Sequence, residues 1–184
     1  MKRMVLFVLG VLSVSTFALA QTPAPADAIE KALSPAPRQM KEGATVIKWK
    51  ADNTYDTLRK GTNRLVCYDR SGENGQQPFA VQCTSIANLD RVAQNLKFEA
   101  IPDKKASQAA FDAAEANGTR VKPEFGSVWI HLRGADRATA RLHTTIAVPG
   151  ATTQSLGLPD NPKMGGVWIM NAGTSTAHLM TPGG

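Results

Sequence analysis

Along most of the chain apolar and polar positions alternate in short runs, and in the middle they switch to helical spacing. Residues 44–50, Ala44-Thr45-Val46-Ile47-Lys48-Trp49-Lys50, are rich in β-branched and aromatic side chains and predict a first strand. Residues 52–57 are polar, and 58–63 carry Gly61 and Asn63, which permit a tight turn. Two β-type runs, 64–68 and 79–83, then flank a stretch at 71–75 dense in turn residues, which predicts a hairpin. Past Cys83 the period changes. Ile86, Leu89, Ala93 and Leu96 predict a helix over about residues 85–97, with Thr84 or Ser85 as its cap. Pro102 and Asp103 open a second, alanine-rich helix that runs to Asn117, where Gly118 suits a left-handed cap. Strands return at 127–133 and 141–148, joined by a polar connection at 134–140, and again at 166–170 and 176–180 around 172–175. Between these pairs, residues 151–166 read as a long surface loop. This order predicts a single α+β domain over 44–184, with an antiparallel sheet and two helices on one face.

The N-terminus adds a compartment. Lys2 and Arg3 precede a mostly apolar run from Met4 to Phe17, and Ala18-Leu19-Ala20 is a small-x-small site, so residues 1–20 read as a secretory signal peptide. The apolar run is shorter than a spanning helix needs, and no later segment is long enough to cross a bilayer. Residues 21–43 begin with four prolines among alanines and read as a tether with at most a short helix near 26–33. A periplasmic or extracellular location favours pairing of the only two cysteines, Cys67 and Cys83. Placed opposite each other, they centre the hairpin on Gly75, a sensible turn position, and staple it.

Charge changes little. Without Lys2 and Arg3 the chain has 19 Lys and Arg against 15 Asp and Glu. Eight of the basic residues lie within 38–70, a bias that would suit an anionic envelope component. The aromatic residues there, Trp49, Tyr55 and Tyr68, are too few to form the stacking platform that nucleic acid requires, so nucleic acid is not expected and a solvated face is favoured.

Leu58-Arg59-x-Gly61-Thr62-Asn63 followed by Cys67, a second cysteine, a His-bearing strand ending in Val148-Pro149-Gly150, then Gly157-Leu158-Pro159 and the run from Ala172 to Met180 form a recognisable set. It resembles an uncharacterised family of small secreted bacterial proteins with no assigned function. The resemblance spans nearly all of 44–184 and implies no catalytic or binding role. The chain departs from the pattern in its terminal Thr181-Pro182-Gly183-Gly184 and in a helix after Cys83 that lacks the usual aromatics.

Catalytic signatures are lacking: there is no Gly-x-Ser-x-Gly elbow, no phosphate-cradling Gly-Lys-Ser/Thr loop and no His-Glu-x-x-His helix, and no cofactor is implied. Asp52 and Asp56 suit turn and capping roles better than a carboxylate pair. Asn117-Gly118-Thr119 matches a glycosylation acceptor but reads as the helix cap. The three histidines stand out. Period-two strands put Trp129, His131 and Arg133 on one face, and a hairpin centred on Arg137 sets His131 opposite His143, with Leu132 and Leu142 on the core side. A last turn centred on Gly173 sets Trp168 opposite His178. If the two hairpins are neighbours, Trp129, His131, His143, Trp168 and His178 gather on one face as a ligand-binding surface; if helices cover that face, these residues are core. The expectation is a non-enzymatic secreted domain that binds a small molecule or an envelope partner through this face. The alternative is a metal-dependent or His-based hydrolytic enzyme, although no carboxylate falls in these strands to orient an imidazole.

Overall fold

The computed structural model describes residues 26–182. The signal-peptide segment 1–20 and the first part of the expected tether, 21–25, lie outside the described residues. The centre is an eight-stranded sheet: β1 (Thr45–Trp49), β2 (Tyr55–Arg59), β3 (Leu65–Asp69), β4 (Phe79–Ser85), β5 (Val128–Gly134), β6 (Arg141–Ala147), β7 (Trp168–Met170) and β8 (His178–Met180), in the spatial order β2-β1-β3-β4-β5-β6-β8-β7. Among the described residues five α-helices surround it: α1 (Ala26–Ala32), α2 (Arg38–Lys41), α3 (Leu89–Glu99), α4 (Lys104–Ala116) and α5 (Thr153–Leu156).

The α+β class holds, but the expected all-antiparallel sheet with two helices on one face is wrong. The sheet is mixed, because β1 and β3 pair in parallel, Thr45 with Val66 and Val46 with Cys67. The cause is β2, which sequence patterning reads as a polar connection. Asn53, at φ 62°, turns the chain back on itself, and β2 returns antiparallel to β1 as an edge strand. With that extra reversal, β3 must leave in the direction of β1. The chain reaches β3 by crossing the start of β1 at Gly61, where a Cβ would stand 2.3 Å from the Gly43 carbonyl oxygen and 2.5 Å from Thr45 N. Only glycine fits so close an approach.

Helices also cover both faces. On one, α1 and α2 pack over a cluster that includes Ala32, Leu33, Val46, Leu65, Cys67, Cys83 and Ile130. The stretch from 26 to 41, expected as tether, is therefore part of the folded unit. Ile29, Ala32 and Leu33 share one helical side, Leu33 is 3% exposed, and Lys31 anchors the helix to Asp69 at 2.6 Å. Leu33→Ala is expected to lower unfolding free energy by about 2 kcal/mol, read from a urea denaturation curve, whereas a tether residue would change it by nothing measurable. Packing on this side ends at β5: Leu142 stands opposite Leu132 as expected, yet is 57% exposed instead of lining the core.

On the other face α3 buries Leu89, Val92 and Leu96 against Ile47, Val66 and Tyr68, with Trp49 and Trp129 at the margins. Helix α4 is capped by Asp103, whose carboxylate accepts from Ala106 N at 2.7 Å, and it leans on α3 through an edge-on Phe98–Phe111 pair. Asn88, fully buried before α3, donates to Thr84 and Ser127 hydroxyls and accepts from Glu124 N. That satisfied amide ties α3 to β4 and to the start of β5.

Candidate functional site

Helix α3 packs over β1 and β3, with Trp129 of β5 at its margin, and the same face is open above Gln82 of β4 and above β5, β6 and β8. A cleft of about 370 Å³ lies there, floored by strand side chains and walled by α3 and by the segment 171–178. Register explains its composition. Tyr68, Gln82, His131 and His143 are consecutive cross-strand partners on β3, β4, β5 and β6, so period-two alternation points all four the same way. Val66, Thr84, Trp129 and Thr145 form the next row. Ala147 pairs with His178 on β8, which brings the third histidine onto this face.

His131 and His143 are thus direct partners across the hairpin centred on Arg137, and His131, His143, His178 and Trp129 all line the cleft. Trp168 is not among its lining residues. The last hairpin pairs Trp168 with Met180 and Met170 with His178, which moves its centre from Gly173 to Thr174. Its connection is a double turn, with Thr174 N donating to Asn171 O and Ala177 N to Thr174 O, and Asn171 adopts φ 56°. Asn171 and Gly173 both take left-handed conformations, and the connection between the paired ends holds two residues more than a turn centred on Gly173 would.

The walls add residues that the strand pattern did not single out. Arg70 is 7% exposed and pairs with Glu73 at 2.6 Å and Glu99 at 2.5 Å. Burial works to lower its pKa, but Glu99 and Glu73 outweigh it and hold the guanidinium above its ordinary value. Arg91, on α3, is 4% exposed; it donates to the Val121 carbonyl and to the Ser175 hydroxyl and has no carboxylate within ion-pair distance among the described residues. Burial, and then the Arg120 charge beside it, push its pKa down to about 10. Glu115 shares the next depression with Arg91, and its carboxylate is engaged by the Ser175 backbone N–H and hydroxyl. Gln82 is 3% exposed and lines the cleft, with no side-chain hydrogen bond among the described residues.

The histidines differ from one another. His178 Nδ1 lies 2.8 Å from the Thr176 carbonyl, which fixes a proton on that nitrogen. His131 makes no side-chain hydrogen bond among the described residues. Burial first, then Arg133, His143, Arg70 and His178, push its pKa down to about 3. At neutral pH it is therefore an uncharged ring that offers one donor and one acceptor. No three His, Cys, Asp or Glu side chains converge as a metal-ligand set among the described residues. The geometry gives a polar floor that can hydrogen-bond a small molecule, an aromatic edge at Trp129 and a wall rich in guanidinium groups.

Cys67 and Cys83 form a disulfide, and no helix among the described residues is long and apolar enough to cross a membrane. Comparison with protein-family models, with curated proteins and with solved structures finds no match for this chain.

Proposed function

We propose that this chain is an exported, non-enzymatic binding domain that takes a small molecule or a component of the cell envelope in the cleft on the α3 face of its sheet. The observation that carries the reading is the half-covered face: one helix seals β1 and β3, and beyond it the sheet presents Gln82, Trp129 and all three histidines to a cleft of about 370 Å³. Small-molecule sites are concavities of about 300–1,000 Å³ with a few converging polar groups. Binding fits better than catalysis. A general base works best with a pKa near the operating pH, and His131 is held at about 3. Neither His131 nor His143 has a carboxylate hydrogen-bonded to it among the described residues, so neither of these two rings is oriented for proton transfer. The resemblance to small secreted bacterial proteins suits the export half of the proposal and brings no activity with it.

Native mass spectrometry of protein recovered from the exported fraction tests both halves. The polypeptide should begin at Gln21, and a copurifying species should leave on denaturation. Retention of residues 1–20 would defeat export, and an unliganded spectrum together with no response in a small-molecule screen would defeat the cleft. His143→Ala separates a lining residue from a core one. Its imidazole is half-buried and borders the cleft, where water can replace it, so unfolding free energy should change by less than about 0.5 kcal/mol. Affinity for the copurifying species should fall at the same time.

A further inference from the structure

Resting on the reading of the cleft as a binding site, we infer that its ligand carries an oxyanion, a phosphate or carboxylate group, held at the cleft mouth between Arg133 and Arg141 while the remainder lies over Gln82 and His131. Arg133 and Arg141 are direct cross-strand partners on β5 and β6, on the face that carries His131 and His143. Like charges directly opposite each other weaken a sheet. Neither guanidinium has an ion pair or side-chain hydrogen bond among the described residues, although the surface elsewhere pairs Lys31 with Asp69, Lys50 with Asp56 and Arg64 with Glu124. A planar donor fork left open beside a cleft matches a carboxylate or phosphate in shape as well as charge.

The rest of the cleft has the same sign. Its lining holds three guanidinium groups, Arg70, Arg91 and Arg133, and one carboxylate, Glu99. Glu99 is already bonded to Arg70. Arg91, buried with no ion-pair partner among the described residues, adds positive potential from the α3 side. Independently, Gln82 lines the cleft and makes no side-chain hydrogen bond among the described residues, so its amide is free to bond a polar group there. One row further along the sheet than the two arginines, Gln82 and His131 provide neutral donors and acceptors for polar groups of the same ligand. A soluble phosphorylated or carboxylated solute and an anionic lipid headgroup share this chemistry.

The experiment uses the exported chain labelled with nitrogen-15 and follows the indole signal of Trp129, which lines the cleft, against that of Trp49, which lies in a separate depression. Inorganic phosphate, citrate and neutral glucose are titrated in turn, and cosedimentation is measured with vesicles of phosphatidylglycerol in phosphatidylcholine. Phosphate or citrate should move the Trp129 signal and leave Trp49 in place. R133A and R141A, both exposed and so expected to fold, should each weaken that binding by about tenfold. Cosedimentation that citrate competes away assigns the oxyanion to a lipid headgroup, and its absence assigns it to a soluble solute; both support the inference. A response to glucose but not to the anions, or anion binding indifferent to R133A and R141A, overturns it while the cleft still stands as a binding site. A Trp129 signal silent to every probe and to vesicles overturns the cleft reading and this inference together.

Discussion

Replacing Cys67 and Cys83 together by alanine is expected to lower the unfolding free energy by about 3 kcal/mol. The two residues are direct partners on β3 and β4, 4.1 Å apart at Cα, and their bond closes a loop with a sequence separation of 16. Cross-linking a loop of that length removes about 3 kcal/mol of conformational entropy from the unfolded chain. The folded chain loses as well. Both sulfurs are inaccessible and belong to the cluster on which Ala32 and Leu33 dock, so alanine leaves voids beneath α1. The position multiplies the effect, because β3 and β4 join the β2-β1 edge to the half of the sheet that carries the cleft. Urea denaturation of the double variant should show a lower midpoint and a steeper dependence on urea, since the unfolded chain without the cross-link exposes more surface. An unfolding free energy within about 0.5 kcal/mol of the parent's would mean the bond clamps nothing. In the folded parent, thiol reagents should find no reactive cysteine, as none is free among the described residues.

That staple was legible because both runs around it are strongly β-forming and the turn between them is dense in glycine and asparagine. The β5–β6 pairing was legible from its two β-forming runs on either side of a short polar connection, and with it the row from His131 to His143. What escaped is physically coherent. Strand β2 is an edge strand whose first three residues are exposed, so Tyr55, Asp56 and Thr57 carry no inside–outside alternation for a pattern to detect. Missing one reversal was enough to turn a parallel pair into an expected antiparallel sheet. Helix α1 was discounted because prolines flank it, although Ile29, Ala32 and Leu33 have the i, i+3, i+4 spacing of a docked face. The register of the last hairpin depends on left-handed Asn171 and on two successive turns, which composition alone does not count. The cleft walls had a signal that went unused: Arg91, Asn95 and Glu99 recur at helical spacing beside the apolar stripe of α3, and a polar stripe there is either solvated or aimed into a cavity.

Between pH 6.5 and pH 4.5 the protein is expected to lose about 2 kcal/mol of stability that His131→Gln does not lose. In the folded chain burial and four neighbouring basic groups, Arg133, His143, Arg70 and His178, hold this imidazole's pKa at about 3. In the unfolded chain it titrates near 6.5. Below that value the unfolded state binds a proton that the folded state refuses, so acid favours unfolding. The stabilisation is fully present above about pH 6.5 and is lost as the pH falls toward 3, at up to about 1.4 kcal/mol per unit. Carboxylates held below their ordinary values add to acid sensitivity from lower pH: Glu115 through its bonds from Ser175, and Glu124 through those from Ser85 and Arg64. The window from 6.5 to 4.5 keeps most of their contribution out, and subtracting the variant's urea midpoints from the parent's removes what remains. Glutamine at position 131 keeps a polar, uncharged group at the floor of the cleft and retains a donor and an acceptor for Gln82 and the ligand. A difference between parent and variant that stays flat with pH would show that water reaches the ring freely, and that α3 and the row of arginines do not desolvate it. The expected slope would mean that the cleft floor is dry enough to keep a histidine neutral beside three guanidinium groups, the condition under which an incoming oxyanion meets full, unscreened positive charge.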